Sequence, residues 1–237
     1  MTYCKNCKEE INGNFCSDCG HPVHLKRIDS HYIAHEINHV LHLEKGFFYT
    51  IKELLIAPGI NVKTFLTNNR SRLVKPIIFL IVTSLAYTII SHFFHIEDKY
   101  VSVEQTGKTS KAISNWIQTH YGYSNIIMGI FIAFFLKLFF KKYDYNIFEI
   151  LILLCFVMGM NMLFYSLFAL FEGFSKISMM KAAAIIGTIY SSWAIAQFFD
   201  KTKAINYIKA IAAYLLGMLL FSIAAIIIGS IIDRLIQ

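Results

Sequence analysis

From about residue 73 onward, long apolar stretches alternate with short polar segments. Each stretch is continuously hydrophobic rather than alternating, and each is long enough to cross a hydrocarbon core of about 30 Å as a helix, which takes about 20 residues. Lipid offers an exposed backbone amide no hydrogen-bond partner, so a helix is the expected form. We therefore predict an all-α integral membrane protein with about five transmembrane helices, over residues 76–95, 122–140, 148–171, 180–199 and 207–232.

Two shorter amphipathic segments precede the first predicted span. Residues 46–59 place their apolar side chains on one helical face, and Pro58-Gly59 interrupts the pattern. Residues 61–72 then carry basic side chains toward Pro76. We predict two short helices in the membrane interface, whose basic residues meet anionic lipid headgroups. General anchoring and a specific lipid pocket are the two alternatives for this region.

The composition supports a membrane location. Of the 237 residues, 56% are hydrophobic and 16% are charged, whereas soluble domains average about 25% charged residues. The mean hydropathy is +0.53. A soluble domain of this size could not bury so much apolar surface, so membrane lipids are the expected partner. The net charge of +7 does not favour nucleic acid, because the basic residues flank apolar segments instead of gathering in one soluble domain.

Lysines and arginines are more frequent on one side of the predicted bundle. That side carries Lys63, Arg70, Arg72, Lys75, Lys137, Lys141, Lys142, Lys201, Lys203 and Lys209. The opposite side carries Lys99, Lys108, Lys111, Lys176, Lys181 and Arg234. This bias predicts a cytoplasmic N-terminus and an external C-terminus. Residues 1–30 hold no apolar stretch typical of a signal peptide, so the first span is expected to direct its own insertion.

Four cysteines near the N-terminus read C-K-N-C-x8-C-S-D-C-G. Two CxxC pairs are the elements of a zinc ribbon, because each pair forms a tight turn that places two thiolates on one side of a tetrahedral ion. Asn12-Gly13 is a turn signal for a hairpin between the pairs. We predict a zinc ribbon over residues 1–22 with one structural zinc ion, a site whose four protein ligands leave no open position for catalysis. Its ligands are Cys4, Cys7, Cys16 and Cys19.

Four thiolates can also take part in other chemistries. Two disulfides need an oxidising compartment, which a cytoplasmic N-terminus does not provide. A thioredoxin-like redox motif needs an α/β domain that 20 residues cannot build. An iron–sulfur site stays open, because four thiolates also hold iron. The fifth cysteine, Cys155, lies inside the third predicted span and is assigned to packing.

Four histidines share one face of a predicted helix that follows the cysteines. They are His31, His35, His39 and His42. Their spacing permits a second metal site or a pH-responsive contact, and a plain polar face toward headgroups or solvent is the third alternative. No HExxH arrangement is present, so the metalloprotease signature is absent. Residues 23–72 are thus predicted to be a His-rich interfacial region between the zinc ribbon and the transmembrane bundle of residues 73–237.

Several polar and small residues lie inside the predicted spans. Asn161 is near the middle of the third span, and the fourth contains Ser191, Ser192 and Gln197. Such groups bond between helices or line a cavity. The four-residue spacing of Ala183, Gly187 and Ser191 predicts close approach of another helix.

The N-terminal part of the chain resembles a family of uncharacterised bacterial membrane proteins, family thirty-six sixty-seven of the domain-of-unknown-function series. The matching residues are C-K-N-C…F-C-S-D-C-G, then E-K-G-F-F-Y-T-I-K-E-L-L-I-A-P-G, then R-S-R-L-V-K-P before the first span. The resemblance covers about residues 1–90. It implies a zinc ribbon on a membrane bundle in the inner (cytoplasmic) membrane of a bacterium. It implies no activity and no catalytic residue.

Three functions follow as hypotheses. The first is a non-enzymatic adaptor, sensor or assembly protein whose zinc ribbon contacts a cytoplasmic protein partner. The second is a transporter or lipid-handling protein whose path is lined by Asn161, Ser191, Ser192 and Gln197. The third is a metal-dependent membrane enzyme that uses the histidine face. The sequence favours the first hypothesis and disfavours an enzyme. It is compatible with a homo-oligomer.

Overall fold

The structure is a computed structural model. It describes residues 46–96 and 120–236, together with positions 2, 3, 7, 10, 11, 17, 109, 112, 113, 116 and 117. Contacts divide the chain into two compact units, Met1–Glu44 and Lys45–Gln237. The boundary lies just before the amphipathic segments, so these segments belong to the same unit as the long apolar helices.

The first unit contains a short antiparallel hairpin. Strand β1 is Thr2–Tyr3 and strand β2 is Glu10–Ile11, with Thr2 opposite Ile11 and Tyr3 opposite Glu10. This register places the first CxxC pair in the connection between the strands. Cys7 lies in a turn there and is half-buried. The other predicted zinc ligands and the four-histidine face lie outside the described residues.

The second unit is built from helices in the part of the chain that the structure describes. They are α1 (Phe47–Ile56), α2 (Pro58–Thr67), α3 (Pro76–Phe93), α4 (Tyr121–Phe139), α5 (Ile147–Ser175), α6 (Met180–Asp200) and α7 (Ala204–Ile236). The five from α3 onward are long and apolar enough to cross a membrane. The prediction of an all-α bundle with five candidate spans is confirmed.

The ends of these helices follow ordinary sequence signals. Proline occupies the first turn of α2 and α3, where its missing N–H has no helical partner to lose. The α5 helix begins with a capping box, in which Asn146 and Glu149 each accept a hydrogen bond from the other's backbone N–H. It ends where Lys176 adopts a left-handed conformation with φ of 59°.

The connections gather at two ends of the bundle. One end comprises residues 68–75, 140–146 and 201–203, and we name it the basic end. There the rings of Phe140 and Phe199 stack with centroids 4.0 Å apart. Asn206 Nδ2 donates to the Tyr143 hydroxyl at 3.0 Å there. At the opposite end, Phe94 packs on Phe174. Successive long helices therefore alternate in direction, as expected of a multi-pass bundle.

The long helices differ in how much of their surface the protein covers. In the most apolar window of α5 and of α6, 56% of the residues are buried, whereas in α7 only 11% are buried. The buried α5 residues Phe156 and Leu153 pack in one core cluster with Phe79 of α3 and Phe198 of α6. α5 and α6 thus form the centre of the bundle, and the apolar surface of α7 is left for lipid.

Candidate functional site

The short helices α1 and α2, which we predicted to lie in the membrane interface, pack against the bundle. Leu54 and Val62 are fully buried, and the ring of Phe65 contacts that of Phe156 in α5. Apolar side chains at the corner between the two helices remain exposed, among them Ile56 and Ile60. The pair therefore has one face in the protein core and one apolar edge available to lipid.

Pro58 creates backbone groups that need partners, and α6 supplies them. The Leu54 carbonyl would accept a helical bond from residue 58, but proline has no N–H to give. The Tyr190 hydroxyl donates to this carbonyl instead, at 3.0 Å. On the other side of the break, Gln197 Oε1 accepts from the first free N–H of α2, that of Gly59, at 2.8 Å. Two side chains of one span thus cap both helices at the break.

Gly59 allows the backbone of α2 to touch the backbone of α6. A Cβ built on Gly59 would overlap the backbone of Phe198 and would lie 2.6 Å from the Ala194 carbonyl oxygen. Backbone atoms on both sides cannot move independently of their helices. Glycine at this position is therefore required by the close approach of the two helices.

The segment that leads into α3 is tied back to α1. The Val74 N–H donates to Thr50 Oγ1 at 3.0 Å, and Arg72 bonds both the Tyr49 hydroxyl and the Glu53 carboxylate. The hydrogen bond to Tyr49, together with the charge of Glu53, raises the pKa of Arg72 above its ordinary value. Arg72 therefore links the segment before α3 to α1 through one ion pair and one hydrogen bond.

A polar network crosses three spans near the middle of the bundle. Asn161 Nδ2 of α5 donates to Ser191 Oγ of α6 at 2.8 Å and to the Tyr214 hydroxyl of α7 at 3.0 Å. Asn161 Oδ1 is buried and has no hydrogen-bond partner among the described residues. Gly187 makes room beside it, since a Cβ at that position would lie 3.2 Å from Oδ1. An unpartnered acceptor in a low-dielectric interior costs about 1–3 kcal/mol, so it needs an explanation.

The Asn161 side chain also lines a cavity of about 190 Å³ between α4, α5 and α7. The cavity extends from the middle of the bundle toward the end opposite the basic end. Its polar lining consists of Tyr121, Ser124, Asn125, Asn161, Tyr165 and Tyr214. Its apolar lining includes Met128, Met158, Met162 and Met218. No charged side chain is found among the described lining residues, so the cavity suits an uncharged occupant.

The polar residues predicted from the sequence fall into two groups. Asn161 lines the cavity, and its bond to Ser191 confirms the predicted interhelical contact. Ser192 donates to the Tyr207 carbonyl at 2.9 Å, and Gln197 caps α2. Of the four residues that the transport hypothesis names, Asn161 alone is among the described residues that line this cavity. Cys155 packs against the core, in agreement with its predicted structural role.

Sequence reasoning missed most of the cavity. Tyr121, Tyr165 and Tyr214 are spread over three helices, and tyrosine in a span is more often an interfacial or packing residue. The lining methionines are also spread over three helices, and methionine in an apolar span is an ordinary packing residue. Asn125 was the one available signal, because an amide inside an apolar span needs a partner. Its Nδ2 lies 3.4 Å from Ser84 Oγ, a long hydrogen bond.

The cysteine motif can be followed only in part. In the sequence, Cys4 and Cys7 fall between the two strands, but Cys7 alone of the four cysteines is among the described residues. Within the described part of the chain, no group of three or more histidine, cysteine or acidic residues is placed to hold a metal. The chemistry of the motif therefore rests on its sequence and on the hairpin register.

Comparison with known proteins connects the chain to one family. Residues 44–88 match the model of a family described as "Protein of unknown function (DUF3667)". This confirms the resemblance for α1, α2 and most of α3. It does not extend to the cysteines. No curated protein matches the chain, and no solved structure does.

Proposed function

We propose that the protein is a non-enzymatic membrane adaptor that presents an N-terminal zinc ribbon to a protein partner in the bacterial cytoplasm. The observation that carries this proposal is the register of the hairpin. Pairing of Thr2 with Ile11 puts Cys4 and Cys7 in the connection between two strands, which is where a zinc ribbon holds its first two ligands. Cys16 and Cys19 would complete the tetrahedron.

The division of the chain supports an adaptor. The cysteine unit, Met1–Glu44, is compact by itself, and the bundle forms a second unit. The family match begins at residue 44, one residue before the second unit starts. A structural zinc ion would give so short a unit a fixed shape without a large hydrophobic core. Such a unit is suited to recognition of another protein rather than to chemistry.

The proposal includes an orientation. The basic end carries Lys75, Lys141, Lys142, Lys201 and Lys203 outside the helices, and such residues favour the cytoplasmic side. We therefore place the basic end and the zinc ribbon in the cytoplasm of a bacterium, with the bundle in the inner membrane. A membrane-impermeant thiol reagent tests this in intact cells. A cysteine introduced as Lys142→Cys should react only after permeabilisation, and Lys176→Cys should react before it; the reverse pattern contradicts the orientation.

Metal content and partner recovery test the adaptor itself. The full chain, purified in mild detergent, should contain about one zinc ion per chain, and Cys7→Ser should lose it. Proteins crosslinked to the wild type in cells should be lost together with the zinc. Cys155→Ser is the matched control, because it removes a thiol from α5 and should change neither result. Iron in place of zinc, or the same crosslinked proteins with and without Cys7, would contradict the proposal.

A further inference from the structure

We propose that the exposed side of α2 binds one anionic phospholipid, whose phosphate contacts Lys63 and whose acyl chains lie beside Ile60. Of the two alternatives for this region, general anchoring and a specific lipid pocket, the proposal selects the second. The site belongs to the bundle, and its existence does not depend on the zinc ribbon or on the adaptor function.

The helices α1 and α2 enter the bundle from the basic end and return to it. Thr50 of α1 accepts a hydrogen bond from the Val74 N–H in the segment before α3, and α2 ends at Thr67, next to the basic end. Between them, Gly59 lies against the Ala194 carbonyl, six residues before the end of α6. Six helical residues correspond to about 9 Å along the helix axis. The corner between α1 and α2 is therefore at the depth of the acyl chains in the leaflet at the basic end.

The exposed side of α2 carries apolar and polar groups in the same order as a phospholipid. Ile60, at the corner, is 42% exposed. Lys63 is half-buried and follows three residues later, and the exposed Thr67 follows after four more. Residues three and four positions apart lie on one side of a helix. From the corner outward, this side thus offers an apolar contact for acyl chains, a positive charge for phosphate and a hydroxyl at the level of the headgroup.

The ammonium group of Lys63 lies beside two aromatic rings. Its Nζ atom is 5.9 Å from the ring centroid of Tyr145 and 6.0 Å from that of Phe198. The two rings are 4.5 Å apart, and Phe198 is fully buried. Aromatic faces attract a cation without neutralising its charge. Lys63 therefore holds a positive charge at a defined place, and that charge is still available to an anion.

A second ammonium group contacts the residue beside Lys63. Lys137 Nζ donates to the Tyr145 carbonyl at 2.6 Å. In the part of the chain that the structure describes, neither lysine forms an ion pair with a carboxylate. The three connections of the basic end hold seven lysines and arginines, and Asp144 is their one acid. A lipid phosphate would supply the missing negative charge and accept charge-assisted hydrogen bonds. A lipid with net negative charge fits this surroundings better than a zwitterionic lipid, which also brings a cation.

Two lipids with the same acyl chains test the selection by charge. Native mass spectrometry of the full chain, released from detergent, should show saturable binding of phosphatidylglycerol. The first phosphatidylglycerol should bind at least about fivefold more tightly than phosphatidylcholine, since one lysine near a membrane contributes about 1 kcal/mol toward an anionic lipid. Equal affinity of the two lipids would overturn the proposal. Glycerophosphoglycerol, the same headgroup without acyl chains, should not displace the lipid. Displacement by it would show a site for soluble phosphodiesters and refute a lipid site.

Two variants with the same loss of charge locate the site. Lys63→Gln should weaken binding of the first phosphatidylglycerol about tenfold, because a hydrogen bond to a charged group is lost. Lys201→Gln is the matched control, since Lys201 is an exposed lysine of the basic end, and it should weaken binding less than about threefold. Equal effects would mean general attraction to the basic end and would contradict a specific site.

Lys63→Arg retains the positive charge and should keep the preference for phosphatidylglycerol. Thermal unfolding of each variant in detergent shows whether it is folded. The comparison of the two lipids on the wild-type protein decides the proposal even if a variant does not fold. None of these results depends on zinc content or on crosslinked partners, so the lipid site and the adaptor function can fail independently.

Discussion

Two regions of the bundle differ in whether their buried polar groups have hydrogen-bond partners. Where α1 and α2 dock on α6, the backbone groups released by Pro58 have side-chain partners, and glycine lets two backbones touch. Between α4, α5 and α7 a cavity remains, and Asn161, one of its lining residues, has a buried Oδ1 atom without a described partner beside Gly187 of α6. Saturated bonds and close packing are what a structural joint requires, whereas spare volume and an unpartnered acceptor mark the less completely packed region of the bundle.

The largest expected effect is that of a methyl group at the joint. Gly59→Ala would force α2 away from the backbone of α6, which we expect to cost more than about 2 kcal/mol of the free energy of unfolding. Gly122→Ala is a close control, because Gly122 is likewise the second residue of its helix. Its new Cβ would meet the Ser84 Cβ at 3.7 Å, an ordinary contact. Thermal unfolding of both variants in detergent would show whether the joint is as closely packed as we describe; equal stability of the two would contradict it.

Tyr190→Phe should have the next largest effect. It keeps the ring but leaves the buried Leu54 carbonyl without a donor, at an expected cost of about 1–3 kcal/mol in the free energy of unfolding. Tyr207→Phe loses a hydroxyl that donates to the Lys201 carbonyl at 3.3 Å in an exposed position and should change stability by less than about 0.5 kcal/mol. Chemical denaturation of the two variants separates the cases. Equal losses would show that the Leu54 carbonyl does not depend on Tyr190.

Gln197→Leu removes the side chain that caps the N-terminus of α2. By analogy with helix capping residues, we expect a loss of about 1 kcal/mol in the free energy of unfolding. Gln197→Glu keeps an acceptor at the helix N-terminus and should recover most of the loss, since a carboxylate accepts more strongly than an amide. Chemical denaturation of Gln197→Leu and Gln197→Glu measures both losses. A Glu variant no more stable than the Leu variant would argue against the capping role.

The smallest effect is expected in the cavity. Met218→Leu changes a half-buried side chain beside free space, so the free energy of unfolding should change by less than about 0.5 kcal/mol. Met160 is almost fully buried in the core cluster, and Met160→Leu should cost more, up to about 1.5 kcal/mol, because a branched side chain must fit a filled space. In thermal unfolding, Met160→Leu should therefore lose more stability than Met218→Leu. A larger loss in Met218→Leu would mean that the cavity side is the more closely packed.

Local chemistry explains what could be predicted from the sequence. Five long apolar stretches predicted five helices, and their bounds agree with the structure to within a few residues. Pro58 and Gly59 predicted the break between α1 and α2. These features are readable because hydrophobic length, helix-breaking residues and cap signals act within a few residues of one another.

Tertiary structure decided which polar residues meet. Asn161, Ser191 and Gln197 looked alike in the sequence, as amides and hydroxyls within apolar spans. In the fold, Gln197 caps the start of α2 and Ser191 bonds Asn161 across two helices. The Oδ1 atom of Asn161 has no partner among the described residues. The roles diverge because hydrogen bonds act over about 3 Å, whereas the partners are separated by 30 to 138 positions along the chain. Periodicity identifies a buried face, but only the packed bundle determines what that face touches.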